Sequence, residues 1–234
     1  MKQVLPALAK AFGQLGDRAI LGVLAKSAGL TLLVFVGLGA ALFAGLNWGF
    51  AALGLEYGGY ASALLATLLA VLAGWLLFRV VAVAVLQFFA DEVVIAVEKR
   101  HYPQAAATAR ALPFREDLAN SLRGIGRTVL VNLLALPVAA VLVVTGIGPA
   151  IVFLTVNAWL LGRELTDMGW LRHRGEAHPA NAVTGGTRFV LGLVIAGIML
   201  IPFVNLLGPV IGAAAGTHLA QGAMARRKLE SANA

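Results

Sequence analysis

The chain of 234 residues has no cysteine and little charge, with Asp, Glu, Lys and Arg making up only 12% of it. Without cysteine there is no disulfide, no thiolate metal ligand and no cysteine nucleophile. Soluble domains carry about 25% charged residues. Half that amount leaves too little polar surface to coat a globule in water, which excludes the ordinary soluble enzyme. Disorder is excluded too, because it needs low hydrophobicity. Nucleotide-loop, H-E-x-x-H and G-x-S-x-G motifs are also missing. No catalytic residue, metal or cofactor is therefore expected, and no ATPase. What the chain does have is 60% hydrophobic residues and a mean hydropathy of +0.87. The class is an all-α integral membrane protein, forming a single membrane domain over residues 1–234. The net charge of +7 then reads as membrane topology and not as a nucleic-acid footprint.

Charge-free stretches organise the chain. Residues 27–55, 57–78, 128–162 and 189–225 carry no charged side chain, and the second apolar run continues past Arg79 to Ala90. A membrane-spanning helix needs about 20 apolar residues. Residues 27–55 and 57–90 each fit one long transmembrane helix. The stretches 128–162 and 189–225 are too long for one span and too short for two with a turn.

Lys2, Lys10, Arg18 and Lys26 precede the first span, whereas the loop after it has aromatic Trp48, Phe50, Tyr57 and Tyr60 and no Lys or Arg. The N-terminus is expected in the cytoplasm, the loop outside, and Glu98, Lys99 and Arg100 inside again. Arg123 and Arg127 flank the third stretch on one side, Arg163, Arg172 and Arg174 on the other. Arg188 and the Arg226-Arg227-Lys228 cluster flank the fourth. Both ends of each stretch thus carry the cytoplasmic mark. Breakers lie near the middles: Pro137 and Gly146 to Pro149 in one, Pro202, Asn205, Gly208 and Pro209 in the other. A half-segment of about 16 residues makes roughly 24 Å of helix, short of the roughly 30 Å core. Two half-penetrating helical hairpins, 128–162 and 189–225, account for this. The alternative is that each stretch is one long tilted helix. Turns at that depth must be buried in protein or line a wet cavity, which points to oligomerisation or a pathway.

The remaining segments are expected at the cytoplasmic face. Residues 1–26 read as an interfacial amphipathic helix with Val4, Leu5, Leu8, Phe12 and Leu15 at helical spacing, and not as a signal peptide. A second amphipathic helix is expected over 104–127, within a cytoplasmic segment 91–127, with Leu118, Leu122 and Ile125 on one stripe. Residues 163–188 form a connector and 226–234 a tail.

Several residues stand out as candidates, each beside a plainer reading. Pro suits the first turn of a helix. Gly148-Pro149 and Gly208-Pro209 then start half-helices inside the membrane, whose N-termini attract anions, or they are simply tight turns. Arg79 is an intramembrane charge or a snorkelling side chain. Arg163 and Glu164 read as a gate, an ion pair at the membrane edge, or a topology marker. His218 beside Thr217 reads as a packing hydrogen bond. Gly212 and Gly216 form a G-x-x-x-G.

Residues 189–219 resemble the closing signature of the CysZ-type sulfate permeases and the wider etoposide-induced-protein family, above all Ile201-Pro202-Phe203-Val204-Asn205-Leu206-Leu207 followed by Pro209. Gly146-Ile147-Gly148 with Ala158-Trp159-Leu160-Leu161 resembles the family's other hairpin, and Val97-Glu98-Lys99-Arg100 the segment after its second span. Gln14-Leu15-Gly16-Asp17-Arg18 resembles its cytoplasmic sulfate loop. The resemblance implies two transmembrane helices, two pairs of shorter half-penetrating helices and cytoplasmic termini in a bacterial inner membrane. It also implies homo-oligomers that take up sulfate for cysteine synthesis without an ATPase partner. Carried over, Gly16 and Arg18 become the sulfate-binding residues. The family pattern has a second arginine where this chain has Ala19, and Asp17 adds a negative charge beside Arg18. The expected function is a permease for sulfate or a related oxyanion, embedded in the lipid bilayer. The alternative is a non-transporting scaffold or bilayer-shaping protein of the same family.

Overall fold

The computed structural model describes residues 3–52, 74, 89–175, 180–201 and 204–233. They fall into two compact units, one of Met1–Ile20 with Ala90–Ala234 and one of Leu21–Phe89. Among the described residues the regular elements are all helical. Arg79, Tyr57, Tyr60, Pro202 and most of the expected second span lie outside the described residues.

The smaller unit is described chiefly through helix α2, Arg18–Ala52. The stretch Arg18–Ala41 is long and apolar enough to cross a membrane. Leu32, Leu33, Val36 and Trp48 are exposed along α2, as an apolar helix in lipid requires. The helix starts at Arg18, nine residues before the charge-free stretch begins. Charge alone does not stop a helix, and no proline lies between Arg18 and Ser27.

The larger unit contains α1 (Val4–Gly13), α3 (Ala90–His101), α4 (Pro103–Thr108), α5 (Phe114–Val141), α6 (Gly148–Leu171), α7 (Gly185–Met199) and α8 (Gly208–Ala232). Acidic Asp91 and Glu92 open α3, and Lys99, Arg100 and His101 close it, the charge order that a helix dipole favours. Pro103 starts α4 and the Gly-Pro pairs start α6 and α8, where a missing N–H costs nothing.

Helix α8 is the centre of this unit. Every residue from Gly208 to Gln221 is buried, as expected of a helix without a polar face. Helices α1, α3, α6 and α7 pack around it. Val4, Ala7, Leu8 and Ala11 of α1 are buried, while Leu5 and Phe12 are exposed. The apolar stripe read from the sequence therefore divides into a face that packs on protein and an exposed face.

Close backbone approach holds α6, α7 and α8 together. A Cβ on Gly162 would overlap the Arg188 carbonyl, and one on Gly192 would overlap that of Ala158. On α8, a Cβ on Gly216 would strike the Leu165 carbonyl, and one on Gly212 the Leu165 side chain. The G-x-x-x-G of α8 thus faces α6.

Helix α5 runs unbroken through Arg127 and through Pro137. The start of the charge-free stretch at residue 128 is not a helix boundary, because the loss of charge there brings no breaker. Pro137 lacks the N–H that would bond the Leu133 carbonyl, yet the helix continues past it to Val141. The stretch Arg115–Thr145 is also long and apolar enough to cross a membrane, and Leu130, Leu133, Leu134 and Val141 are exposed along it. The chain turns instead at Leu142–Thr145, a 3₁₀ turn, and Gly146, whose φ of 73° favours glycine.

Candidate functional site

Helix α1 ends at Gly13 and α2 begins at Arg18. Three backbone bonds shape the loop between them: Gln14 N to Lys10 O, Leu15 N to Phe12 O and Asp17 N to Gln14 O. Gly16 and Arg18 are exposed. Arg18 makes no ion pair among the described residues, and it opens a helix, where the backbone dipole adds to its positive charge. Asp17 is largely covered and lies 3.1 Å from Arg100 Nε. That pairing removes most of the electrostatic objection to an anion at Arg18. Ala19 is exposed on the first turn of α2 and supplies no second cation.

The loop is anchored from below. Gln14 is buried, and its Nε2 lies 2.8 Å from His218 Nε2 on α8. Tyr102 Oη lies 2.8 Å from His218 Nδ1. With the Gln14 amide donating, His218 is a neutral imidazole that accepts at Nε2 and donates from Nδ1 to Tyr102. The bland expectation for His218 holds in kind, with different partners: Thr217 Oγ1 instead bonds the Ala213 carbonyl.

One turn further along α8 is a second buried polar cluster. Glu98 of α3 is fully buried and accepts from Arg172 Nε at 2.9 Å, His173 Nε2 at 2.8 Å and Gln221 Nε2 at 3.0 Å. Burial alone would raise its pKa, but the hydrogen bonds from His173 and Arg172 outweigh that and hold the carboxyl below the usual range. Sequence reasoning placed Glu98 as a flank charge and did not find this cluster. Its partners lie 74, 75 and 123 residues away, so no local pattern points to them.

At the turn before α6, the Gly148 N–H donates to Thr145 Oγ1 at 2.8 Å, and Pro149 has no N–H. The first two positions of α6 thus offer no free N–H to an anion. Gly148 and Pro209 are buried and Asn205 is half-buried. A Cβ on Gly208 would press on Met199. Arg163 meets Asp167 at 3.4 Å, one turn on, and not its neighbour Glu164. Adjacent residues on a helix point about 100° apart. Asp167 also accepts from Asn181 and lies 3.8 Å from Arg188 Nη1. Among the described residues no group of three His, Asp or Glu could hold a metal ion.

The family described as sulfate transporter CysZ/Etoposide-induced protein 2.4 matches residues 7–209. The chain belongs to that family. No curated protein and no solved structure gives a significant match. The matched part of this CysZ/etoposide-induced-protein chain includes the Gln14–Arg18 loop, Glu98 and both Gly-Pro turns. It ends at the first turn of α8, so His218 and Gln221, which support the loop and Glu98, lie beyond it.

Proposed function

We propose that this chain is a CysZ-like permease that conducts sulfate or a related oxyanion across a bacterial inner membrane, with both termini cytoplasmic. The observation that carries the reading is the loop Gln14–Arg18. Within a family that has sulfate transport in its description, Arg18 is exposed and unpaired, and Asp17 is taken up by Arg100. Arg18 and the Gly16 backbone capture the anion at the cytoplasmic face. The two Gly-Pro turns, Gly148-Pro149 and Gly208-Pro209 with Asn205, lie within the bilayer as the tips of half-penetrating hairpins. A homo-oligomer covers the turn backbone at that depth. No catalytic step and no cofactor is involved.

The test is uptake of labelled sulfate into proteoliposomes, with calorimetry on the purified protein. Arg18→Ala removes one charge-assisted contact, worth about 1.5–3 kcal/mol, and is expected to lower sulfate affinity by at least about tenfold. Unchanged affinity would overturn the site. Flux equal to that of empty liposomes would overturn the permease and leave the bilayer-shaping alternative.

A further inference from the structure

Helices α3, α5 and α6 enclose a cleft of about 850 Å3 on the larger unit. Its walls carry charges that the loop at Arg18 does not use. Helices α5 and α6 pack against each other as antiparallel arms about the turn at residues 142–147. Arg127 lies 14 residues before the end of α5, and Arg163 lies 15 after the start of α6. Both are therefore roughly 21–23 Å along their helices from the turn, at one level. Arg123 is one turn from Arg127 on the same helix, and Asn120 is one turn further. All four line the cleft.

Two donors in this wall have no acceptor. Asn120 Nδ2 and Arg163 Nε are buried and make no hydrogen bond among the described residues. Arg163 Nε approaches Asp167 at 3.4 Å outside hydrogen-bond geometry. Among the described residues neither Arg123 nor Arg127 has an ion-pair partner. Buried donors without acceptors are costly and rare in folded proteins, so two of them beside two unpaired guanidinium groups indicate a missing acceptor.

The nearby carboxylates do not supply it. Asp167 is shared among Arg163, Arg188 and Asn181. Glu164 makes no ion pair with these arginines among the described residues, and burial and the proximity of Asp167 raise its pKa. Asp117 lies one turn from Asn120 but ten residues from Arg127, about 15 Å along α5. Asp91, whose carboxyl is raised by burial and by Asp117, belongs to that same far end.

We propose that the Arg127–Arg163 end of the cleft binds a tetrahedral oxyanion, either free sulfate or the phosphate of a lipid headgroup. The ligand is held by Asn120 Nδ2, Arg163 Nε and the guanidinium groups of Arg123 and Arg127. Guanidinium forks match the oxygen spacing of such anions. Exposed Val129 and Leu130 follow directly on α5 and would meet an acyl chain if the phosphate is a lipid's. The site does not rest on the role given to Arg18.

The experiment uses the full chain in two arms. Sulfate is titrated calorimetrically into delipidated protein, and phospholipid phosphorus is assayed on protein purified in mild detergent. Each arm compares wild type, Arg18→Ala, Arg127→Gln and Asn120→Leu. If the ligand is free sulfate, Arg18→Ala keeps a binding event that Arg127→Gln weakens at least about tenfold. If the ligand is a lipid phosphate, Arg127→Gln and Asn120→Leu lose co-purifying phospholipid while sulfate titrations stay as in wild type. Either result supports the site. Sulfate affinity and retained phospholipid both unchanged in Arg127→Gln and Asn120→Leu would overturn it, as would a wild type that holds neither ligand. Asn120→Leu also guards against misfolding. Replacing an unsatisfied donor by an apolar side chain leaves the unfolding temperature equal or higher, so loss of ligand in that variant reports the site. Should Arg18→Ala leave sulfate binding untouched, the loop assignment fails while the cleft still stands on its own variants.

Discussion

Glu98 is the side chain with the most at stake. It is fully buried and ties α3 to the end of α6 and to α8 through Arg172, His173 and Gln221. Breaking a buried pair strands the partner charge, at a cost of about 3–5 kcal/mol. Glu98→Ala is therefore expected to lower the unfolding temperature of the detergent-solubilised protein sharply, and an unshifted transition would show that the cluster is not a tie. Glu98→Gln keeps an acceptor but loses the charge. Because the native carboxyl lies below its ordinary value of 4.5, its ionised form stabilises the fold fully above that value. The contribution fades as pH falls through the lower native value. The stability advantage of wild type over Glu98→Gln should thus be constant near neutrality and shrink below about pH 4.5. A pH-independent difference would count against ionic pairing. At this scale the sequence was only partly legible. Arg18 stood out by its place just ahead of an apolar run, but the pairing of Asp17 with Arg100, across 83 residues of chain, depends on how α3 folds back and has no local signal.

Among the elements, the two Gly-Pro helix starts were easy to read, whereas the starts of α2 and α5 were not. Gly148-Pro149 and Gly208-Pro209 begin helices because Pro fits a first turn, and glycine leaves room for Leu142 in one and the Met199 side chain in the other. Pro137 misleads because it costs one hydrogen bond, to the Leu133 carbonyl, without ending the helix, which runs on to Val141. The turn itself depends on Thr145, whose hydroxyl bonds the Leu142 carbonyl and accepts from Gly148. Thr145→Ala is expected to cost about 1 kcal/mol, as for a lost N-terminal cap, and Thr145→Ser to cost little; equal stabilities by thermal unfolding would refute the cap. The crossing of α6 and α7 is less forgiving. Gly162 and Gly192 meet backbone carbonyls of the opposite helix, which cannot move aside as side-chain ends can. Gly192→Val should therefore destabilise by about 3 kcal/mol or more, beyond the usual range for overpacking, and yield protein that aggregates on extraction. A variant that elutes and unfolds like wild type would mean that the helices can separate at little cost.

For the whole molecule, the open question of function turns on where the tip between α5 and α6 lies in the bilayer. Charge placement put both ends of residues 128–162 on the cytoplasmic side, which requires the chain to enter and leave by one face. Yet Arg115–Thr145 is long and apolar enough to cross, and about 28 residues of α5 make roughly 42 Å of helix. Much of that length is polar: Arg115, Glu116, Asp117, Arg123 and Arg127 occupy its first half. Only the part after Arg127 is free of charge, and from Arg127 to Val141 it rises roughly 21 Å, short of the roughly 30 Å core. A tip inside the bilayer follows if Arg127 and Arg163 stay at the cytoplasmic headgroups. The absence of cysteine makes this directly testable, since any introduced thiol is the sole thiol. Single cysteines in place of Gly16, Ile147 and Ser231 can be probed with a membrane-impermeant thiol reagent on sealed cells and on inverted vesicles. Gly16→Cys and Ser231→Cys should react only from the cytoplasmic side. Ile147→Cys, at the exposed tip, should react from neither side while a small permeant reagent still labels it. Labelling of Ile147→Cys from outside would make α5 a complete span, place the Arg172–Arg174 cluster across a second crossing, and remove the half-penetrating hairpin from any account of transport.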